Sequence, residues 1–288
     1  MENCWFANKF LIATIQTQKN IDSSSLYPSG RFVQILRHSK PRPIPFSEFP
    51  SLFNPRFMAG MRRLLPSGLY KRLDPFEASI EMFVRNVAAQ IPPGKRVLDA
   101  GAGEGRFKSF FAHTEYVGID FAQGDSSWDY SNLDVIGRLE ELPFPNLSFD
   151  HVLSIVVLEH VPQPGRAIEE FRRVLKPDGM VHLVVPHMWE EHQRPYDFFR
   201  FTSSGIRYLL EAAGIRIRKI QPIGGFFWQL GRRLMGVLSF TQGGWRWLLF
   251  PIFAPVFGLV LPLCCYYLDT LDRDRAYTLG FIAEGWKQ

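Results

Sequence analysis

Seven consecutive residues, Asp99-Ala100-Gly101-Ala102-Gly103-Glu104-Gly105, combine an acid with three glycines. Glycines at these positions let a backbone turn sharply and approach a ligand closely. A dinucleotide fingerprint needs a further glycine at position 106, where Arg106 stands, and no Gly-Lys-Ser/Thr is present to make a phosphate loop. An acid directly ahead of the glycines sits badly beside a pyrophosphate and well beside an ammonium group. A second acid, Asp120, closes the next apolar segment, where a carboxylate can accept both hydroxyl hydrogens of a ribose. Together these features describe a ligand built as a nucleoside with an amino-acid tail and no phosphate.

A second group of reactive side chains lies in 186–202. It holds His187, His192, Glu190, Glu191, Asp197, Arg194 and Arg200 among five aromatic residues. His192 is the best candidate base, with Asp197 or Glu191 to orient it; the same pair could instead hold the loop together by hydrogen bonds. Arg194 and Arg200 could clamp a phosphate or carboxylate, with Tyr196 beside them, although Arg200 could equally pair with Asp197. His160 falls near the same cleft, either toward the substrate or as a packing residue beside the cofactor. His187 has no assigned role.

These residues need a frame, and the hydrophobic pattern supplies one. Apolar positions recur at helical spacing over 76–91, which ends in Pro92-Pro93-Gly94. A short strand, 96–99, runs into the glycine turn. A helix is expected over 106–113, a strand over 116–120 and a short strand over 133–136. The run 149–157 is β-branched and apolar, suited to a strand buried on both faces. A helix over 165–175, a strand over 180–185, a helix over 203–213, a strand over 215–222 and a last strand over 277–286 follow. Strands alternating with helices imply an α/β fold with a parallel sheet covered on both faces, and such sheets bind ligands at the carboxyl ends of their strands.

The stretch Val97-Leu98-Asp99-Ala100-Gly101-Ala102-Gly103-Glu104-Gly105 resembles motif I of class I S-adenosylmethionine-dependent methyltransferases. Glu141-Leu142-Pro143-Phe144 with Ser148-Phe149-Asp150-His151-Val152 is similar to the middle motif of their type 11 group. Leu158-Glu159-His160-Val161 and Arg173-Val174-Leu175-Lys176-Pro177-Asp178-Gly179 resemble its later motifs, so the likeness runs in order over 76–222. It implies a Rossmann-like, seven-stranded, mostly parallel sheet whose last strand is antiparallel. It implies S-adenosyl-L-methionine as cofactor, its methionine part cradled by Gly101, Ala102 and Gly103 near Asp99, its ribose on Asp120, and Phe121 and Leu139 beside it. The family commonly has an acid near the adenine four residues before Leu-Pro-Phe; here that position is Arg138, and either Asp134 or backbone groups around Leu139 take its place. The segment 190–202 is similar to a stretch found in some type 11 members from surface-polysaccharide and lipid gene sets.

Methyl transfer from a sulfonium is an in-line displacement that releases a neutral thioether, so positioning supplies most of the barrier reduction. The expected acceptor is small or lipid-linked, with O-methylation favoured by the histidine-bearing loop. Two alternatives remain: a non-catalytic S-adenosylmethionine-binding protein, with Arg138 marking a lost site, and a nicotinamide-dependent oxidoreductase, against which Asp99 and Arg106 count.

The chain has 288 residues, a net charge of +5 and 46% hydrophobic residues. That excludes a disordered or fibrous chain, and the modest charge gives no reason to expect nucleic acid. Cys4, Cys264 and Cys265 cannot build a disulfide framework and have no partners at zinc-ligand spacing, so no metal is expected and a reducing compartment fits. The short apolar stretch 10–15 does not make a signal-peptide core, and export is not expected.

The organisation read from the sequence is an irregular N-terminal arm over 1–75, a catalytic domain over 76–223 plus 274–288, and an apolar insert over 224–273. Within the insert, 247–268 carries no charge and is long enough to span a bilayer. A single crossing would put the sixth and seventh strands on opposite sides of the membrane, where they could not pair. A re-entrant or surface-lying hairpin, a cap over the site, or a dimer interface remain. Trp228, Trp245 and Trp247 with Arg232, Arg233 and Arg246 are residue types suited to lipid headgroups. The expected location is cytoplasmic, peripheral on the inner face of the membrane, with contact through 226–268.

Overall fold

The computed structural model describes residues 65–124, 128–241 and 243–288. Most of the expected N-terminal arm therefore lies outside the described residues. Its described end forms helix α1, Ser67–Leu73, followed by α2, Pro75–Gln90. The Asp74 carboxylate accepts the Glu77 backbone N–H at 3.3 Å, and Pro75 occupies the first turn, where its missing N–H is harmless. Phe76, Ile80, Phe83, Val84, Val87 and Ala88 form the buried stripe that holds α2 to the sheet.

Seven strands make one sheet: β1 (Arg96–Ala100), β2 (Glu115–Asp120), β3 (Val135–Ile136), β4 (Phe149–Ile155), β5 (Leu175–Pro186), β6 (Ile215–Ile223) and β7 (Gly280–Lys287). Their order is β3-β2-β1-β4-β5-β7-β6, with β7 antiparallel to both neighbours and the other pairs parallel. This is the seven-stranded Rossmann-like sheet anticipated from the motifs. Strand order reverses between β1 and β4, so the crevice beyond their carboxyl ends is where a ligand belongs. Helices α3 (Pro164–Val174) and α4 (Ser203–Ala212) bury Phe171, Ile206 and Leu210 against Leu98, Val152 and Leu183. The opposite face packs α2 on Val97, Leu153 and Val184. Adjacent residues such as Leu183 and Val184 thus fill different cores, which is why these strands read as continuous apolar runs.

Most boundaries lie within three residues of the sequence expectation; two differences matter more. The helix expected over 106–113 is a short 3₁₀ segment, Lys108–Phe111. The glycine loop continues directly into i+3 turns (Gly105 N–H to Ala102 O, 2.8 Å; Lys108 N–H to Gly105 O, 3.0 Å), which leaves too few residues before β2 for an α-helix. Strand β5 begins at Leu175 rather than 180, directly after α3, with Asp178 at φ 61°.

The insert leaves β6 at Ile223 and returns to β7 at Gly280, with α5 (Phe226–Gly236) and a longer helical stretch, Gly244–Leu271, between them. Its two ends meet: Leu279 N–H donates to Ile223 O at 3.2 Å, and Thr278 Oγ1 donates to the same oxygen at 2.8 Å. Asp269, 2% exposed, accepts the Gly225 and Trp228 N–H groups at 3.1 and 3.0 Å and pairs with Arg275. The Trp228 indole stacks on Tyr266 with centroids 5.6 Å apart. Both ends of the insert are therefore tied to one edge of the sheet, and one passage of Gly244–Leu271 across a bilayer would break these bonds and the β6–β7 pairing. Asp269→Ala orphans one buried and one half-buried N–H group and a guanidinium and should cost about 2–4 kcal/mol in urea denaturation. A loss below about 1 kcal/mol would show that the insert is anchored elsewhere.

Candidate active site

At the end of β1 the chain folds over the end of β2: the Gly101 and Ala102 N–H groups both donate to Ile119 O, at 2.8 and 3.0 Å. Gly101 has φ 95°, and a Cβ there would fall 2.3 Å from Val157 Cγ2. Gly103, at φ 54°, donates its N–H to Asp120 Oδ2 at 3.0 Å, while Asp120 Oδ1 accepts from Ala122 N–H at 2.8 Å. Asp99 is buried and accepts the Tyr116 hydroxyl at 2.6 Å. Burial pushes its carboxyl up to about 6, the nearby Asp120 charge adds to the rise, and the Tyr116 hydroxyl and Arg106 oppose it. The expected residues Asp99, Gly101, Ala102, Gly103 and Asp120 thus come together at the carboxyl ends of β1 and β2.

The flanking residues are placed as follows. Leu139 is buried, and Phe121 is half-exposed with the Arg138 guanidinium 5.3 Å above its ring. Asp134 does not take the missing acid's place: it accepts the Gly118 N–H at 2.8 Å and pairs with Lys108 at 3.2 Å. Three contributors escaped sequence reading. Tyr116 holds Asp99, Val157 covers Gly101, and the Trp128 ring lies 3.6 Å from where a Gly103 Cβ would be. Trp128 belongs to none of the motifs read from the sequence, so only the fold reveals it.

On the acceptor side, the loop after β5 packs beside the short turn Leu158–His160 that follows β4. Phe198 and Phe199 N–H groups both donate to Glu159 O, at 2.8 and 3.2 Å. Asp197 accepts two 2.7 Å bonds from Arg200 and a third, also 2.7 Å, from the His192 N–H. Burial works against its charge, but the Arg200 guanidinium and the His192 N–H outweigh it and hold the Asp197 carboxyl below its ordinary range. His192 Nδ1 lies 3.2 Å from Glu190 O and 3.3 Å from Asp197 Oδ2. His160 Nδ1 donates to Tyr196 O at 2.6 Å, and its ring meets His192 edge-on at 4.7 Å. Burial lowers the His160 pKa and pushes the Glu159 carboxyl up to about 8.

His160, His192, Asp197 and Arg200 are therefore one cluster. Arg200 is committed to Asp197 rather than set as an anion clamp. Arg194 stands apart, on the surface with Glu191 at 2.7 Å. Tyr196 joins the two halves of the site through its hydroxyl, which donates to Gln123 Oε1 at 3.2 Å.

Residues 98–183 match a family described as a methyltransferase domain. Residues 98–183 form a class I S-adenosylmethionine-dependent methyltransferase domain of the type 11 group. A probable S-adenosylmethionine-dependent methyltransferase of Mycolicibacterium smegmatis is 28% identical over 136 residues, 43% of this chain and 53% of that protein. A demethylmenaquinone methyltransferase of Bacillus licheniformis is 31% identical over 126 residues, covering 38% of this chain and 54% of its own. The chain thus spans about half the length of these curated relatives. A putative methyltransferase structure from Bacillus halodurans superposes with a TM-score of 0.45 at 16% identity, over 72% of this chain and 97% of that one.

The cofactor of this class is S-adenosylmethionine, and the loop of the methyltransferase domain fits it. The backbone at Gly101 leaves no room for a Cβ, so that turn is kept open by glycine alone. Each Asp120 oxygen accepts one backbone N–H and retains capacity for a ribose hydroxyl. Asp99 is a carboxylate that burial leaves under-compensated, a state that a neighbouring ammonium would relieve. Gly101→Ala strains a left-handed backbone and meets Val157; S-adenosylhomocysteine affinity should fall roughly 10- to 100-fold by calorimetry. Wild-type affinity in that variant would mean that the turn does not hold the ligand.

Proposed function

We propose that the chain is an S-adenosylmethionine-dependent methyltransferase that methylates a hydroxyl of a small, apolar or lipid-linked acceptor. The supporting observation is that the glycine loop and the His160–His192 cluster meet across one short turn. Val157 touches the loop at Gly101, and three residues later His160 sits in the acceptor cluster. When bound, the cofactor supplies an electrophilic methyl on sulfur. Asp99 and the loop hold the donor, Asp120 fixes the ribose, and the acceptor lies between Tyr196 and the two imidazoles. Removal of the acceptor proton falls to His192, whose ring Asp197 and Glu190 O orient from the Nδ1 side. Arg200 keeps Asp197 charged.

The apolar acceptor and the membrane surface are argued from the insert. Helix α5 is bolted to the acceptor loop: the Arg232 guanidinium stands 3.5 Å above the Trp189 ring and pairs with Glu190 through Nε at 3.2 Å. Beyond that anchor, Phe240, Trp245, Trp247, Leu248 and Ile252 are exposed beside Arg246, and the Gly244–Leu271 stretch is only 11% buried in its most apolar window. An exposed aromatic and aliphatic patch with arginines suits the headgroup boundary. Insertion of this tip would bring the acceptor loop to the lipid surface from the cytoplasmic side, where the free Cys264 and Cys265 remain reduced. The demethylmenaquinone methyltransferase among the relatives lends precedent for an apolar acceptor.

Vesicle flotation checks the lipid reading. Wild-type protein should float with vesicles containing anionic lipid, and combined Trp245→Ser, Trp247→Ser and Leu248→Ser should cut the floated fraction at least about tenfold. Floating equally with and without the tip residues would remove the membrane from the proposal.

Cofactor affinity should also depend on pH. With its carboxyl near 6, Asp99 is protonated in the free protein below that pH and cannot receive an ammonium without losing the proton. Affinity for S-adenosylhomocysteine should weaken below pH 6, toward roughly tenfold per pH unit, and Asp99→Asn should flatten the profile. The sign for folding is opposite to that of a salt-bridged acid. The native carboxyl lies above its ordinary value of 3.8, so this group's ionisation destabilises the free protein as pH rises from about 4 through 6.

A further inference from the structure

Glu159 is fully buried, and neither carboxylate oxygen has a hydrogen-bond partner among the described residues. His160 Nε2 is buried and equally without a partner. Its other nitrogen donates to the Tyr196 carbonyl, so a neutral ring presents a lone pair at Nε2, 3.7 Å from Glu159 Oε1. His160 Nε2 and both Glu159 oxygens thus share one buried space with no hydrogen-bond partner among the described residues. His192 repeats the pattern: its Nδ1 faces Glu190 O and Asp197, which leaves Nε2 as the ligand atom. Backbone and carboxylate acceptors on the far nitrogen are the usual outer support of a metal-binding histidine. One ligand atom each from Glu159, His160 and His192 lies within 4.8 Å of the others.

We propose that Glu159, His160 and His192 form a two-histidine, one-carboxylate site for a divalent transition metal ion of the zinc type.

The charges agree. Arg200 is neutralised by Asp197, so its guanidinium does not stand as an uncompensated positive charge against a dication. Ligand atoms around zinc at about 2.0 Å lie about 3.3 Å apart. The His160–Glu159 edge is 3.7 Å, and the other edges do not exceed 4.8 Å. Three protein ligands leave a further position for water or an acceptor oxygen. An imidazole that ligates the ion cannot also accept a proton at that nitrogen, so the base role of His192 belongs to the metal-free protein. The site itself rests on this geometry and does not require methyl transfer.

The test uses the full chain without a histidine tag, stripped with a chelator and titrated with Zn²⁺ by calorimetry and with Co²⁺ by visible absorption. One ion per chain and a Co²⁺ ligand-field band of nitrogen-containing, low coordination are expected. Glu159→Gln and His192→Ala should each weaken binding roughly 100-fold or more. The proposal fails if wild-type protein shows no saturable binding, or if either folded variant binds as wild type does, which would point to Cys264 and Cys265 instead. If a variant does not fold, the wild-type Co²⁺ spectrum decides alone: a band of oxygen-only or thiolate ligation overturns the site. Activity enters none of these readouts, so failure here leaves the methyltransferase reading standing, and the reverse also holds.

Discussion

Two carboxylates are forced into the interior at neighbouring strand ends, and much of the molecule is arranged around that fact. Asp99 closes β1 and Glu159 follows β4, the strand beside it; they are 2% and 0% exposed. Burying an acid without full compensation opposes folding, and both carboxyls rise above their ordinary range as a result. Neither acid is needed to hold the sheet, whose strands are tied by backbone pairing and two apolar cores. Acids buried at such a cost, on the side of a parallel sheet where strand order reverses, suit the cations proposed above: an ammonium at Asp99 and a metal ion at Glu159.

The turn between the two acids couples their sites. Val156 adopts φ 58°, a strained value for a β-branched residue, and the next residue fills the space over Gly101. That backbone strain directs Val157 toward the donor loop while Glu159 and His160 point toward the acceptor loop. Any ligand that displaces Val157 from Gly101 therefore acts on the segment that carries Glu159. The Tyr196–Gln123 hydrogen bond closes the same circuit from the other side.

The sequence was most informative where chemistry and backbone demand coincide. Asp99, Gly101, Gly103 and Asp120 are legible because a glycine loop after a strand has few uses, and the structure unites them. The strand alternation was legible for the same kind of reason, since β4 and β5 bury both faces and allow few polar residues. The 3₁₀ segment Lys108–Phe111 was not legible, because Phe107, Phe110 and Phe111 satisfy a helical pattern while the length available does not permit an α-helix. Glu159, His160 and His192 escaped as a ligand set because metal spacing in sequence is local, whereas these residues converge from β4 and β5 through the fold. Arg194 and Arg200 look alike in sequence. Only packing separates the first, on the surface with Glu191, from the second, clamped on Asp197.

The insert gains its meaning from where it is fastened. An apolar segment alone could be a cap, an interface or a membrane contact. Here β7 must pair with β6, so the segment leaves and returns at one point, and Asp269 ties those two ends together. From α5, Arg232 pairs with Glu190 of the loop after β5 and stacks on Trp189. The base of the insert is thus part of the acceptor site, while its exposed tip is free of the sheet. An element fixed at the chemical end and apolar at the other transmits position: whatever surface the tip occupies sets which molecules can reach Tyr196 and the histidines. Under the proposed function, acceptor selection is a matter of delivery from a surface as much as of pocket shape.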